Sequence, residues 1–350
     1  MRLRLSVFIT LCSVASFSFA DSQLAAAQLD TNQPDTNQLG SNQLDASQEN
    51  TSTWVPYPES LPQFDYSGDL LAKHWPVLSA GTQLAWPDSA QIKYALDKYP
   101  QLSQQLNDLA RKTDSHPALQ STLNHNYQPL AMAVQQVWRL HYQGQFEQAY
   151  TLGMELGPAG LLPALYSKLI HTTLLVSKKH KEAKFLEIDA LMQPWVAEFK
   201  DFEFLAFGDL YQKMRRLELL STSAASSSGL IDPTQDRLEK LHKNSPNHPI
   251  YGAMLAGIKA GIIERVGGFL GSMTYGADED TVIELFEDAL SKEQRLAVLY
   301  NEYSLALIRL DDSDYNTRLK ELLNACISLT VYSAEEALNQ QVCRKTLDKL

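Results

Sequence analysis

The sequence predicts an all-α protein, an array of helix-turn-helix repeats of the α-solenoid kind. Three observations carry that reading. From about residue 88 onward apolar residues recur at helical spacing, as at Leu102, Leu106 and Leu109. No segment alternates apolar and polar residues between hairpin turns, as half-buried strands do. The stretch from 130 to 197 also repeats itself, with Leu174 standing 34 positions after Leu140 and Ala183 standing 34 after Ala149.

The chain has 350 residues, a formal net charge of −11 and a sequence pI near 5.2. Hydrophobic residues make up 44%, an ordinary globular content. Setting aside a leader and a polar tail leaves about 300 residues, enough for one large or two small domains with a substantial core. The acidic balance argues against nucleic acid or an anionic membrane as main partner, since both call for a basic face.

Residues 1–20 read as a cleavable secretory signal peptide. Arg2 and Arg4 precede an apolar run from Leu5 to Phe17, and Ser18-Phe19-Ala20 offers small residues at the cleavage positions. The run is too short to cross ~30 Å of hydrocarbon, so no transmembrane helix is expected after cleavage. Cys12 does not make a lipoprotein site, because Leu11 stands where a small residue is needed and the cysteine lies inside the apolar core. The expected location is the bacterial periplasm.

Residues 21–53 repeat a five-residue unit ending in Asn-Gln-Leu or Asn-Gln-Pro. That period fits neither helix nor strand. With no aromatic and few apolar side chains, the tail cannot offset its ordering entropy by burial, and a disordered spacer is expected.

Residues 54–90 are aromatic and punctuated by proline: Trp54, Tyr57, Phe64, Tyr66, Trp75 and Trp86 stand among Pro56, Pro58, Pro62, Pro76 and Pro87. Irregular packing against the first helices is expected, and the alternative is a binding surface of exposed aromatics. Residues 91–350 form the predicted repeat domain. Asp88-Ser89 cap its first helix, which runs through Tyr94 and Leu96 to Tyr99, ahead of Pro100. The serine-rich stretch Ser221–Gly229 predicts a flexible break within 221–234, which either divides the helical region into two lobes or forms a long loop in one array.

The best repeat unit is Trp138, Leu140, Gly144, Phe146 and Ala149, with Leu174 and Ala183 as its second copy. The glycine marks the turn between helices. The small alanine belongs where the two helices of a repeat approach closely. A second set of helices follows from Val282, Phe286 and Ala289, then Leu299, Tyr303, Ala306 and Leu310, then Leu322 and Ala325. Here the alanines lie 36 apart, and Arg318 occupies a position where a small residue is expected.

These stretches resemble a proteobacterial family of tetratricopeptide-containing proteins. The resemblance rests on Trp138-Arg-Leu-His-Tyr-Gln-Gly-Gln-Phe-Glu-Gln-Ala149, Glu155-Leu-Gly-Pro-Ala-Gly160, Arg265-Val-Gly-Gly-Phe-Leu-Gly-Ser-Met-Thr-Tyr-Gly-Ala277, and Glu302-Tyr303 with Ala306-Leu307. It covers roughly residues 70 to 345 and implies a tetratricopeptide-like fold without an activity. The serine-rich insert and the weak small-residue positions of the second half depart from the pattern.

Little in the sequence points to chemistry. The run containing Gly267, Gly268, Gly271, Tyr275 and Gly276 lacks the lysine of a phosphate-binding loop and follows no strand. Close helix packing and a turn at Tyr275-Gly276 are expected, helped by the thin face of Ala253, Gly257 and Gly261. The alternative is a ligand or peptide against exposed glycine backbone. The eight histidines show no metal-ligand spacing, no catalytic nucleophile motif occurs, and no cofactor is implied. Cys326 and Cys343 raise the question of a disulfide. Ser333 and Glu336 read as a capping box, and a hairpin turning near Tyr332 sets Cys326 opposite residue 337 or 338, about 8 Å short of Cys343. Buried free thiols are therefore expected over a bridge.

The functional expectation is an exported, non-catalytic scaffold that binds a protein, a peptide or a small ligand on stacked helix pairs. The alternatives are an assembly or structural factor of the cell envelope and a helical envelope enzyme. A deep apolar pocket with converging polar groups would favour a small ligand. A broad groove would favour a protein or peptide, and a perturbed carboxylate or histidine in a cleft would favour the enzyme.

Overall fold

The computed structural model describes residues 54–350. The expected leader and repeat tail, residues 1–53, lie outside the described residues. Those described form seventeen α-helices, three short 3-10 turns and no strand. No helix among them is long and apolar enough to cross a membrane.

The aromatic segment is partly helical, so the helical region begins earlier than residue 91. It runs irregularly from Trp54 to Asp69 and then forms α1 (Leu70–Leu78). The expected irregular packing is found, because the rings turn inward. Trp75 meets Trp86 and Trp138 edge-on, at 5.2 and 5.8 Å between ring centres, and its indole N–H donates to the Leu84 carbonyl at 3.0 Å. Asp88 caps α2 (Ser89–Lys98) by accepting from the Gln91 N–H at 2.8 Å. Pro100 starts α3 (Pro100–Ala110), a position where its missing N–H costs nothing. A short α4 (Pro117–Gln120) leads to α5 (Gln128–Tyr142) and α6 (Phe146–Glu155).

The α5–α6 hairpin turns at Gly144, whose φ is +82°. A Cβ there would lie 2.7 Å from the Tyr57 ring, so only glycine admits both this backbone and the incoming segment. Next come α7 (Leu161–Leu174) and α8 (Lys178–Glu198), and the 34-residue period does fall on two successive hairpins. Ala149 is fully buried as expected, but the tightest α6–α7 contact lies elsewhere. Gly153 and Gly160 touch backbone to backbone, and a Cβ on Gly153 would meet Gly160 O and Ala164 Cβ at 2.7 Å. Ala183 corrects the sequence reading. It is exposed, because α8 turns Phe185, Ile188 and Met192 inward and leaves position 183 on the opposite face.

The serine-rich stretch is no break between lobes. Ser221 caps a one-and-a-half-turn helix, α10 (Thr222–Ser227), between α9 (Glu203–Leu219) and α11 (Ile231–Asn244). Its Ala225 is 1% exposed, packed into the core of the C-terminal half. Buried Asp209 ties α9 and α11 together, accepting from Lys213 at 2.7 Å and Arg237 at 2.6 Å. Around α12 (Pro249–Val266), buried along nearly all its length, pack α9, α11, α14 (Glu279–Lys292) and α15 (Ala297–Leu310), with α13 (Gly268–Tyr275) turned off its end. The last pair is α16 (Asn316–Ser328) and α17 (Ala334–Leu347).

Cys326 and Cys343 form a disulfide, with Cα atoms 6.4 Å apart, against the expectation of free thiols. The connection between the two helices is longer than a tight turn near Tyr332. Residues 329–333 run on without helix, so α17 starts beyond the end of α16. Gln340, and not residue 337, then caps the end of α16, donating to the carbonyls of Cys326, Ile327 and Leu329 at 2.8–3.1 Å. One turn further on, Cys343 comes level with Cys326.

The final helix also reaches back to the start of the chain. Ala334 and Leu338 pack with Leu61, Phe146 and Ile170, and the Tyr66 hydroxyl donates to the Tyr332 carbonyl. In an open solenoid each repeat touches only its neighbours. Here α17 contacts α5 and α7, so the helical array closes on itself.

Candidate functional site

That closure encloses a cavity of about 70 Å³. Leu169 and Ile170 of α7, Phe207 of α9, Ile250 of α12 and Val298 of α15 give it apolar walls. Tyr166, Tyr211, Glu302, Glu335 and Glu336 bring hydroxyls and carboxylates to the same space. Five helices (α7, α9, α12, α15 and α17) supply these groups, and the Leu78–Thr82 turn adds to the lining.

Each acidic group is held differently. Glu302 accepts from Arg215, whose guanidinium also binds Glu218 at 2.9 Å and lies 4.9 Å over the Tyr211 ring. The Tyr166 hydroxyl lies 2.9 and 3.0 Å from the two oxygens of Glu335, and His141 Nε2 is 3.5 Å from one of them. Glu336 completes the predicted cap. Its N–H donates to Ser333 Oγ at 3.2 Å, and its carboxylate accepts the Tyr332 N–H. Burial pushes its pKa up to about 7, with neighbouring Glu335 adding to the rise. The backbone bonds of Tyr332 and Ser333 and the charge of Arg295 pull the other way.

Ser167, His141 and Glu335 stand in the order of a hydrolytic triad, but the protons run the wrong way. Ser167 Oγ donates to the Pro163 carbonyl at 2.7 Å and so accepts from His141 Nδ1 at 3.0 Å. Both Ser167 and His141 are fully buried. The arrangement orients a ring beneath Glu335 and presents no nucleophile.

A second groove, of about 290 Å³, lies between α2, α7 and the end of α8. Tyr94, Tyr99, Trp195 and Phe199 line it, with Lys98 Nζ 5.2 Å from the Tyr99 ring centre. Among the described residues no group of three or more His, Cys, Asp or Glu is placed to hold a metal ion.

Of the repeat and groove residues singled out in the sequence, only Leu174 lines the central cavity, beside Ser333 and Glu336 of the expected cap and Glu302 of the resemblance. Trp138, Leu140, Phe146 and Ala149 are buried packing residues, and Gly144 makes a turn. Gly267 ends α12 and Gly276 ends α13, both at positive φ, while Lys259 and Gln235 bind the carbonyls of Gly276 and Tyr275 at 2.7 and 2.6 Å. Gly271 packs closely, with a Cβ position 3.0 Å from Ala277 O, whereas a Cβ on Gly268 would meet only Glu279 Oε1 at 3.9 Å and Gly267 has open space around it. The expected turn is therefore present, and the expected close packing holds at one glycine of the three. Sequence reasoning missed Tyr166, Tyr211, Glu302 and Glu335 as site residues. Up to 169 positions separate them, and the one local signal, the capping box, marks Glu336 as structural.

No protein-family model, curated protein or solved structure matches the chain.

Proposed function

We propose that this chain is an exported, non-catalytic binding protein whose helix pairs are arranged in the manner of tetratricopeptide repeats, and that its ligand is a small molecule. The observation that carries the reading is the central cavity, where apolar walls and three acidic groups from two helices, α15 and α17, converge. The 34-residue period on two successive hairpins supports the repeat reading and the kinship with the tetratricopeptide family of the resemblance. The leader read from the sequence and the disulfide agree with an oxidising compartment. The test is to purify the protein from periplasmic extract, denature it and identify released small molecules by mass spectrometry, beside a Val298→Trp variant that fills the cavity. A metabolite released from the wild type and not from the variant supports the reading. Release of the same molecules from both, or of none, sinks it.

One observation favours a second reading. A carboxyl in a cavity that holds its proton to about pH 7, as Glu336 does, is suited to general acid catalysis. A hydrolase reading predicts turnover of a cell-wall substrate that disappears in Glu336→Gln. Turnover unchanged in that variant would remove Glu336 from the chemistry.

A further inference from the structure

The aromatic groove between α2, α7 and the end of α8 carries its polar groups on one side. Gln91, Tyr94 and Lys98 of α2 stand at i, i+3 and i+7, so one face of that helix borders the space with an amide, a hydroxyl and an ammonium. The rest of the lining comes from α3, α7, α8 and α9 and the segments beside them. It is apolar but for the Tyr99 hydroxyl and the Trp195 indole N–H, and the Tyr99 hydroxyl is buried. Leu162, Trp195 and Phe199 give the apolar side its surface. The Trp195 and Phe199 rings stack at 5.9 Å, and Tyr99 meets Phe199 edge-on at 5.5 Å.

Lys98 is the single charged residue among the described residues that line the groove, and no carboxylate stands with it there. Its ammonium is exposed, 5.9 and 5.2 Å from the ring centres of Tyr94 and Tyr99. Besides those two tyrosines only the charge of Asp201 acts on it, from beyond ion-pair distance. An ammonium has three N–H groups to give, so its contact with the Tyr99 hydroxyl leaves donors free for an anion.

This segregation selects a ligand class. A peptide brings an N–H and a C=O with every residue, and apolar walls leave them unpaired. A cation is repelled by Lys98, and a sugar finds hydroxyl partners on the α2 side alone. A molecule with an apolar body and one negative charge at its end answers both sides at once. The groove measures about 290 Å³. A methylene fills about the ~30 Å³ that a water takes in the liquid, so the space holds about ten of them. We propose that this groove binds a monoanionic amphiphile, an aliphatic chain of about ten carbons whose terminal carboxylate pairs with Lys98.

The test is equilibrium dialysis of the full chain at neutral pH against monomeric decanoate, decanol and decyltrimethylammonium. Decanoate is expected to bind most tightly, decanol about fivefold more weakly and the ammonium most weakly, as one exposed charge pair allows. Lys98→Met removes the charge and keeps an apolar stem. It should lower decanoate binding about fivefold, to the level of decanol, and leave decanol unchanged. Ala95→Trp fills the groove from α2 and should abolish the binding of all three with an unchanged thermal melt, whereas Val298→Trp in the central cavity should leave it intact. If Ala95→Trp fails to fold, Lys98→Met carries the comparison. The proposal is overturned if decanoate does not bind, or if decanol or the ammonium binds as tightly. It is equally overturned if Lys98→Met keeps the preference for decanoate, if folded Ala95→Trp binds as the wild type does, or if Val298→Trp abolishes the binding.

Discussion

Tyr166 and Glu335 are joined across 169 residues of sequence by one hydroxyl, 2.9 and 3.0 Å from the two carboxylate oxygens. This bond fastens the last helix to the seventh and stands at the wall of the central cavity. Three features meet on α17: the closure of the array, the cavity and a carboxyl with an altered proton affinity.

Replacing Tyr166 by phenylalanine removes a hydrogen bond to a charged acceptor. We expect unfolding free energy to fall by about 2 kcal/mol, within the range for such bonds. Urea denaturation measures the loss. Hydrogen exchange should rise first in α17, and a rise spread evenly over the molecule would show that the bond does not fasten the closure.

Glu336 sets a pH dependence. Its folded pKa of about 7 lies above the ordinary 4.5, so the folded protein holds a proton that the unfolded chain has released. Its stabilising contribution is complete below about 4.5 and is lost as pH rises through 7, amounting to about 3 kcal/mol. Glu336→Gln keeps an acceptor for Tyr332 and should flatten the curve, becoming the more stable protein at pH 8. Parallel denaturation curves for the two proteins from pH 5 to 8 would contradict this.

His171 works in the opposite direction. Burial lowers its pKa from 6.5 to about 4, against hydrogen bonding to the Val55 backbone, whose N and O lie 3.0 and 3.2 Å from its Nε2. The unfolded chain takes up a proton below 6.5 that the folded ring refuses. Stability is therefore full above 6.5 and falls by about 3 kcal/mol as pH drops toward 4. Because Val55 belongs to the N-terminal segment, limited proteolysis near residue 55 should accelerate over this range. A His171→Phe variant should show no such acceleration.

The Cys326–Cys343 bridge closes a loop with a sequence separation of 17. Loop-closure entropy for that length predicts about 3 kcal/mol of stabilisation. Dithiothreitol should lower the urea midpoint of the wild type by a corresponding amount. A Cys326→Ala, Cys343→Ala double variant should start lower and not respond to the reductant.

Much of the local structure was legible in the sequence because local rules govern it. Asp88 caps α2, Ser333 and Glu336 cap α17, and Gly144 turns α5 into α6, each through groups within a few residues of one another. The helices at 279–292, 297–310 and 316–328 followed from the spacing of Phe286, Tyr303 and Leu322. Polar composition suggested a break at Ser221–Gly229, but the burial of Ala225 overrode it. Ala183 kept its repeat position in sequence and lost its role, since small rotations of a helix decide which face is buried.

The sequence alone determined the all-helical class, the caps, the turns and the 34-residue period, because these depend on side chains that are neighbours along the chain. Tertiary structure decided the rest. The length of the 329–333 connection shifted α17 by about a turn, which joined Cys326 to Cys343 and carried Glu335 to Tyr166. The same shift closed an array whose periodicity implied open ends. It also brought Glu302, Glu335 and Glu336 beside the apolar walls of one cavity, a convergence of long-range packing that no spacing rule encodes.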